Sequence, residues 1–156
     1  MAPATANTKI EDQEMLTVST SRFGELTVSP DKVIHMTSPF LGFPDSKNFM
    51  LKPHGKESPF MWLQSLETPT LAFVVIQAAI IAQEYAPHIP NYVKQELKAS
   101  KDDQLEILLI LTVPKNDLKK ITANLLGPLV INTKQRLAKQ VLQDPTIYDA
   151  CWPIFK

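Results

Sequence analysis

The sequence predicts a mostly β fold, organised as a single compact antiparallel β-barrel-like domain with one or two short helices. Short segments alternate apolar and polar residues, as half-buried strands do. Two longer segments, 71–76 and 105–113, are apolar on both faces, which is typical of strands inside a closed barrel or covered on both sides. Thirteen prolines against four glycines favour extended, rigid connections over glycine turns.

Length and charge narrow the class of protein. A chain of 156 residues fits one domain, and we expect 15–150 to form it, with 1–14 as a flexible N-terminal tail and 151–156 as a C-terminal tail. Sixteen basic and sixteen acidic residues cancel, so net charge does not attract the chain to a polyanion or a membrane.

The start of the sequence lacks the apolar core of a signal peptide. The longest apolar run, 71–82, is too short to cross a bilayer as a helix. We therefore expect a cytoplasmic protein.

The first strands follow from clean alternation. In 25–29, Leu26 and Val28 point to one face, and Pro30 begins the turn that ends the strand. A short strand continues over 33–36. Both segments are therefore predicted to be strands.

A proline-braced loop follows at 38–47. It carries the apolar side chains of Phe40, Leu41 and Phe43 between prolines and Gly42. Two interpretations stay open for Phe40 and Phe43. They either pin the loop to the core or offer an anchor for a partner protein.

The core strands come next. Segments 60–66 and 71–76 predict a hairpin joined around 67–70. Segment 105–113 places five apolar residues on one face and two on the other, so it predicts a second strand of the core.

Helical signals are weaker. Segment 93–99 has good helix formers after Pro90 and predicts a short helix, and 117–120 predicts one helical turn. In 134–142 the apolar residues fall at helical spacing, so periodicity alone predicts a helix there.

A kink is predicted in 121–132. Two apolar runs, Ala123–Leu126 and Leu129–Asn132, are separated only by Gly127 and Pro128. Glycine accepts backbone angles that other residues resist, and proline fixes φ and donates no hydrogen bond. We expect a kink or bulge between two strand segments. The side chains of Asn124 and Asn132 are expected to bond nearby backbone.

Residue types suited to catalysis are scattered. His35, His54 and His88 lie far apart in the sequence, and Cys151, between Ala150 and Trp152, is typical of a packed thiol. No Gly-x-Ser-x-Gly elbow and no phosphate-binding glycine motif occurs. We expect no enzyme activity, no bound metal and no cofactor.

A single-stranded nucleic-acid-binding barrel is the alternative function. Segment 94–139 holds nine basic and five acidic residues, and small β-barrels often bind single strands. The stripe would consist of Lys115, Lys119, Lys120, Lys134, Arg136 and Lys139. No aromatic residue for base stacking lies between Tyr92 and Tyr148, however, so a solvated basic face is the simpler interpretation.

Several segments together resemble the flagellar assembly factor FliW family. Segments 121–132 and 58–65 (Ser-Pro-Phe-Met-Trp-Leu-Gln-Ser) resemble two of its signatures. The match runs from about residue 20 to 142 and includes 21–25, 40–43, 71–75 and 136–142, in the family's order. The resemblance puts a hairpin over 134–142 in place of the helix, with Ala138 at its turn.

The resemblance implies a compact barrel-like module without enzymatic activity that works by binding proteins. Its expected partners are flagellin, held in the cytoplasm before export, and CsrA, a translational repressor of flagellin mRNA. Flagellin bound to the module would release CsrA. No direct contact with nucleic acid or membrane is implied, and the unbound protein is expected to be a monomer.

We predict that partners bind at the kink and at the phenylalanine loop. A proline within a strand indicates an edge or bulge, and an edge can recruit another chain. The alternative is that both segments only close the barrel. The predicted protein-binding residues are Phe40, Phe43, Asn124, Gly127, Pro128, Leu129 and Asn132.

Overall fold

The computed structural model describes residues 15–155, so the predicted tail over 1–14 lies outside the described residues. Two short helices, α1 (Ala78–Ile81) and α2 (Asn91–Glu96), and two 3-10 turns, Pro30–Lys32 and Leu118–Lys120, join a set of strands. The strands are β1 (Leu16–Thr20), β2 (Gly24–Val28), β3 (Ile34–Met36), β4 (Asn48–Pro53), β5 (Met61–Ser65), β6 (Ala72–Gln77), β7 (Leu105–Thr112), β8 (Thr122–Ala123), β9 (Leu129–Asn132), β10 (Leu137–Gln140) and β11 (Trp152–Pro153).

Seven strands form a closed barrel. They follow the order β7-β6-β5-β4-β3-β10-β9, and β9 pairs back with β7. Every pairing in the ring is antiparallel except that of β3 with β10, which is parallel. β8 and β11 extend the sheet from β7, and β1 pairs with β2 in a separate hairpin. The predicted barrel-like, mostly β class is confirmed.

Apolar side chains pack on both sides of the barrel wall. Inside, Leu63, Leu108 and Leu129 are fully buried in one cluster. Outside, Val93 of α2 and Leu97, the residue that follows α2, pack against Val130 of β9 and against Val141, which follows β10. A third cluster covers the outer face of β7 and includes Leu109 and Leu111. This double coverage explains why the sequence of β7 is apolar on both faces.

Most predicted elements are present. β5 and β6 form the predicted hairpin, and helical segments lie at Asn91–Glu96 and Leu118–Lys120. β1, β4, β11 and α1 were not predicted. In β4 the three residues 49–51 are all apolar, so the sequence shows no alternation, although only Phe49 of the three is fully buried.

The segment 134–142 contains a turn and the strand β10 and no helix, so its helical periodicity is misleading. The hairpin of β9 and β10 turns over 133–136, and Arg136 takes φ of 57° there. The expectation that Ala138 marks the turn is wrong, since Ala138 lies inside β10 and is fully buried in the barrel. The turn ends before Leu137. It is held by the side-chain oxygen of Asn132, which accepts hydrogen bonds from the N–H groups of Lys134 and Gln135.

The C-terminal residues take part in the sheet. Residues 151–156, predicted as a tail, include β11, in which Trp152 pairs with Ala123. Cys151 is exposed, so the prediction of a packed thiol is wrong. Among the described residues, no helix has the length and apolarity that crossing a bilayer would need.

Candidate protein-binding site

The predicted kink is held by side chains. The Oδ1 of Asn124 accepts hydrogen bonds from the N–H groups of Leu126 (3.0 Å) and Gly127 (2.9 Å). Gly127 does not adopt left-handed backbone, in contrast with Gly42 at φ 92°. A Cβ on Gly127 would lie 2.7 Å from Nε2 of Gln140, which donates to the Gly127 carbonyl at 3.0 Å. The kink therefore requires glycine for space rather than for its backbone angles.

The residues after the kink are buried. Pro128 accepts the N–H of Val141 at 2.9 Å, and Leu129 lies fully buried in the barrel. Asn132, also fully buried, donates from Nδ2 to the carbonyl of Leu97 at 2.9 Å and so ties β9 to the end of α2. These contacts give the segment a structural role and leave little of it open to a partner. Its role in binding stays a prediction.

The two predicted residues of the phenylalanine loop differ in their exposure to solvent. Phe40 is buried against Phe49 and Phe73, with ring centroids 5.4 and 4.9 Å apart. Phe43 is 40% exposed and meets the ring of Phe73 edge-on. Between them, Leu41 is 92% exposed. Phe40 thus pins the loop, while Leu41 and Phe43 form the accessible part that a partner could contact.

A groove of about 500 Å³ lies between residues 86–92 and residues 139–148. We call it the Leu142 groove. Three large apolar side chains line it and are mostly exposed: Tyr92 (62%), Leu142 (74%) and Ile147 (68%). Sequence patterns did not single out these residues. Leu142 follows Val141 and Ile147 precedes Tyr148 in the sequence, so the local pattern does not distinguish these exposed side chains from buried ones.

Hydrogen bonds hold the two walls of the Leu142 groove together. The side-chain amide of Gln143 accepts the His88 N–H at 2.7 Å and donates to the His88 carbonyl at 2.9 Å. The hydroxyl of Tyr148 donates to the carbonyl of Ala86 at 3.2 Å. Beside the groove, Tyr85 donates to the Leu125 carbonyl, and burial raises the pKa of its hydroxyl. The groove therefore has a defined shape before any partner binds.

An ion pair holds α2 against the barrel. Glu96 accepts a hydrogen bond from the hydroxyl of Thr37 and pairs with Lys139, whose Nζ lies 3.1 Å from Oε2. The Thr37 hydroxyl, and then Lys139, lower the pKa of the Glu96 carboxyl. Since Tyr92 lies in the first turn of α2, this contact also positions one wall of the Leu142 groove.

The basic residues considered for nucleic-acid binding do not form one stripe. Lys115, Lys119 and Lys120 follow the C-terminal end of β7, whereas Lys134 and Arg136 lie in the turn beside its N-terminal end. Lys139 is paired with Glu96, and Lys134 lies 3.9 Å from a carboxylate oxygen of Asp103. Within residues 15–155, no three His, Cys, Asp or Glu side chains converge as metal ligands would.

Comparison with known proteins gives a consistent result. The family model described as FliW protein matches residues 17–154. The chain is 36% identical to the flagellar assembly factor FliW of Geobacter sulfurreducens over 140 residues, which are 90% of this chain and 87% of that protein. It is 35% identical to the FliW of Natranaerobius thermophilus over 88% of this chain and 91% of the relative. A crystal structure of the flagellar assembly factor FliW superposes with a TM-score of 0.82 at 29% identity, covering 90% of this chain and 98% of that one.

Proposed function

The chain belongs to the FliW family of flagellar assembly factors, and we propose that it acts in the cytoplasm by binding flagellin and the translational repressor CsrA. Binding CsrA would antagonise its repression of flagellin mRNA, and flagellin would release CsrA by occupying the protein. The level of free flagellin would then set its own translation. The protein acts by contact and not by catalysis.

The observation that supports this function best is the Leu142 groove. Exposed apolar side chains on a preformed surface are typical of protein-binding sites, because burying them on association removes apolar area from water. The accessible tip of the phenylalanine loop, Leu41 and Phe43, offers a second apolar surface. Two apolar surfaces fit a protein with two partners.

Binding of the two partners should be coupled. If flagellin lowers the affinity for CsrA by some factor, CsrA must lower the affinity for flagellin by the same factor at equilibrium. This reciprocity distinguishes a partner switch from two independent binding events.

Calorimetry on purified proteins tests the proposal. The full chain is titrated with flagellin, with CsrA, and with each in the presence of the other, after RNase treatment of all samples. We expect binding to both and the same factor of weakening in both orders of addition. Absence of binding to either partner would overturn the proposal. Recovery of partners from lysate only when RNA is intact, with steep weakening by salt, would favour the nucleic-acid-binding alternative.

A further inference from the structure

We propose that the Leu142 groove and a second groove beside it form one docking surface for an amphipathic α-helix with a basic polar face, presented by a partner protein. The inference rests on the proposed function, since it takes this surface to bind proteins, and it specifies the kind of segment that binds there. In this mode of recognition, apolar side chains along one face of a helix enter a groove and fix its position.

The second groove, which we call the Ile80 groove, has a volume of about 610 Å³. It is lined by residues 80–85 and 147–149 together with Leu125 and Trp152. Ile147 and Tyr148 also line the Leu142 groove. The two grooves therefore meet and form one continuous surface.

Large apolar side chains are exposed along the whole of this surface. Tyr92, Leu142 and Ile147 are exposed in the Leu142 groove, and Ile80 is 48% exposed in the Ile80 groove. These are four of the eleven large apolar side chains that are exposed within residues 15–155. Such a concentration is typical of a surface that a partner covers.

The ridge between the two grooves is held in place before any partner binds. The N–H of Ile147 donates to the carbonyl of Asp144 at 3.0 Å, and the N–H of Thr146 donates to the Asp144 carboxylate at 2.9 Å. The ring of Tyr148 packs edge-on against that of Tyr85, with centroids 5.2 Å apart. A fixed ridge lowers the entropy cost of docking.

The charges around the surface favour a basic partner. The carboxylates of Glu84 and Asp149 line the Ile80 groove, and that of Asp144 lines the Leu142 groove. Among the described residues that line the two grooves, Lys139 is the one lysine or arginine, and its Nζ is paired with Glu96 at 3.1 Å. A segment with Lys or Arg beside its apolar side chains complements the three carboxylates, whereas they repel an acidic one.

The walls of the Leu142 groove favour a helix over an extended strand. A bound strand needs free backbone groups along the wall, but Pro87 and Pro90 have no N–H. Between them, the N–H and the carbonyl of His88 are both bonded to the side chain of Gln143. On the other wall, the N–H groups of Val141 and Gln143 are bonded within the chain. A helix pairs its own backbone groups and needs only the side-chain surface.

Three synthetic peptides of equal length, about 18 residues, test the occupant. The first places leucines at helical spacing and lysines elsewhere, so that one face is apolar and the other basic. The second alternates leucine and lysine, as an amphipathic strand does. The third is the helical peptide with glutamate in place of lysine. Titrated into the full chain, the helical lysine peptide should bind about ten-fold or more tightly than either of the others. Equal binding of the alternating peptide or of the glutamate peptide would overturn the proposal.

Substitutions at two exposed positions locate the bound peptide. Ile147→Ala should weaken binding of the helical lysine peptide about five-fold or more, because Ile147 lines both grooves. Its control is Leu41→Ala, at a position that is 92% exposed in the phenylalanine loop. Glu84→Lys should weaken binding about three-fold or more at low salt and less at high salt. Its control is Glu25→Lys, at an exposed position of β2. Thermal unfolding verifies that all four variants fold, and equal effects at groove and control positions would refute docking at this surface.

The two tryptophans of the chain report the site without a substitution. Trp152 lines the Ile80 groove, whereas Trp62 packs against Phe23 and Arg22. In NMR spectra, the indole N–H signal of Trp152 should move as the helical lysine peptide is added, and that of Trp62 should stay. Movement of the Trp62 signal alone would place the peptide elsewhere and contradict the proposal.

The outcomes separate this inference from the proposed function, because the peptide experiments use neither flagellin nor CsrA. Failure of the helical lysine peptide to bind, with calorimetry showing that flagellin and CsrA do bind, would refute the docking surface and leave the function intact. Binding of the peptide at the two grooves, with neither protein bound, would support the surface and overturn the function.

Discussion

Replacing Gly127 with alanine tests why glycine occupies the kink. The added Cβ would lie 2.7 Å from Nε2 of Gln140 and 3.3 Å from Nδ2 of Asn124. The Gln140 amide must move, and its hydrogen bond to the Gly127 carbonyl is lost. Because the backbone of Gly127 is not left-handed, alanine should cause no conformational strain of its own.

The expected magnitude follows from these contacts. Losing the Gln140 bond and leaving the carbonyl unpaired costs about 1–2 kcal/mol. Alanine restricts the unfolded chain and returns about 0.4–1 kcal/mol. Gly127→Ala should therefore lower the free energy of unfolding by about 1 kcal/mol.

Making the same substitution in a Gln140→Ala variant tests whether Gln140 is the cause. In Gln140→Ala protein the clashing amide is absent and the carbonyl is already unpaired, so adding Gly127→Ala should be neutral or slightly stabilising. The two substitutions should couple by about 1 kcal/mol, measured as a shift of the urea midpoint at constant m-value. Equal destabilisation by Gly127→Ala in both backgrounds would show that the backbone, and not Gln140, requires glycine.

Three further substitutions test the scaffold around the candidate site. Leu129→Ala should lower the free energy of unfolding by about 2–5 kcal/mol, because Leu129 is fully buried in the barrel; a loss under about 1 kcal/mol in denaturant titration would contradict that packing. Asn132→Ala should cost about 1–3 kcal/mol and speed amide exchange in α2, since it frees the buried carbonyl of Leu97; unchanged exchange in α2 would count against this tie. The hydroxyl of Thr37 lowers the pKa of the Glu96 carboxyl, so the carboxylate stabilises the fold at pH values above its ordinary pKa of 4.5. This stability is lost as the pH falls through the pKa of Glu96 in the folded state. Glu96→Gln should flatten the loss of stability below pH 4.5, and an acid limb identical to that of the wild type would refute the role of this pair.

Sequence patterns predicted the barrel where burial follows a simple period. β7 is apolar on both faces because clusters cover it on both sides, and the clean alternation of Leu26 and Val28 marks β2, a strand of the separate hairpin with β1. The pattern failed in β10. There Leu137 packs toward α2, Ala138 faces the interior, and Leu142 is exposed past the end of the strand, which together mimic helical spacing.

The candidate site was less accessible to prediction than the fold. Phe40 and Phe43 have the same residue type and neighbourhood, yet only the fold decides that one is buried and the other exposed. The Leu142 groove depends on bringing Tyr92 and Ile147 to opposite walls of one groove, and no local pattern encodes that arrangement.

The late position of β9 and β10 in the chain has a consequence for synthesis on the ribosome. The strands from β3 to β7 form an open sheet until β9 and β10, which span residues 129–140, pair with its two ends and close the ring. A nascent chain that has not yet reached this region holds β3 and β7 with unpaired edges and an uncovered apolar interior, which favours aggregation. Products truncated before residue 129 should therefore be insoluble, and cooperative folding should begin only once residues 129–140 are free to pair.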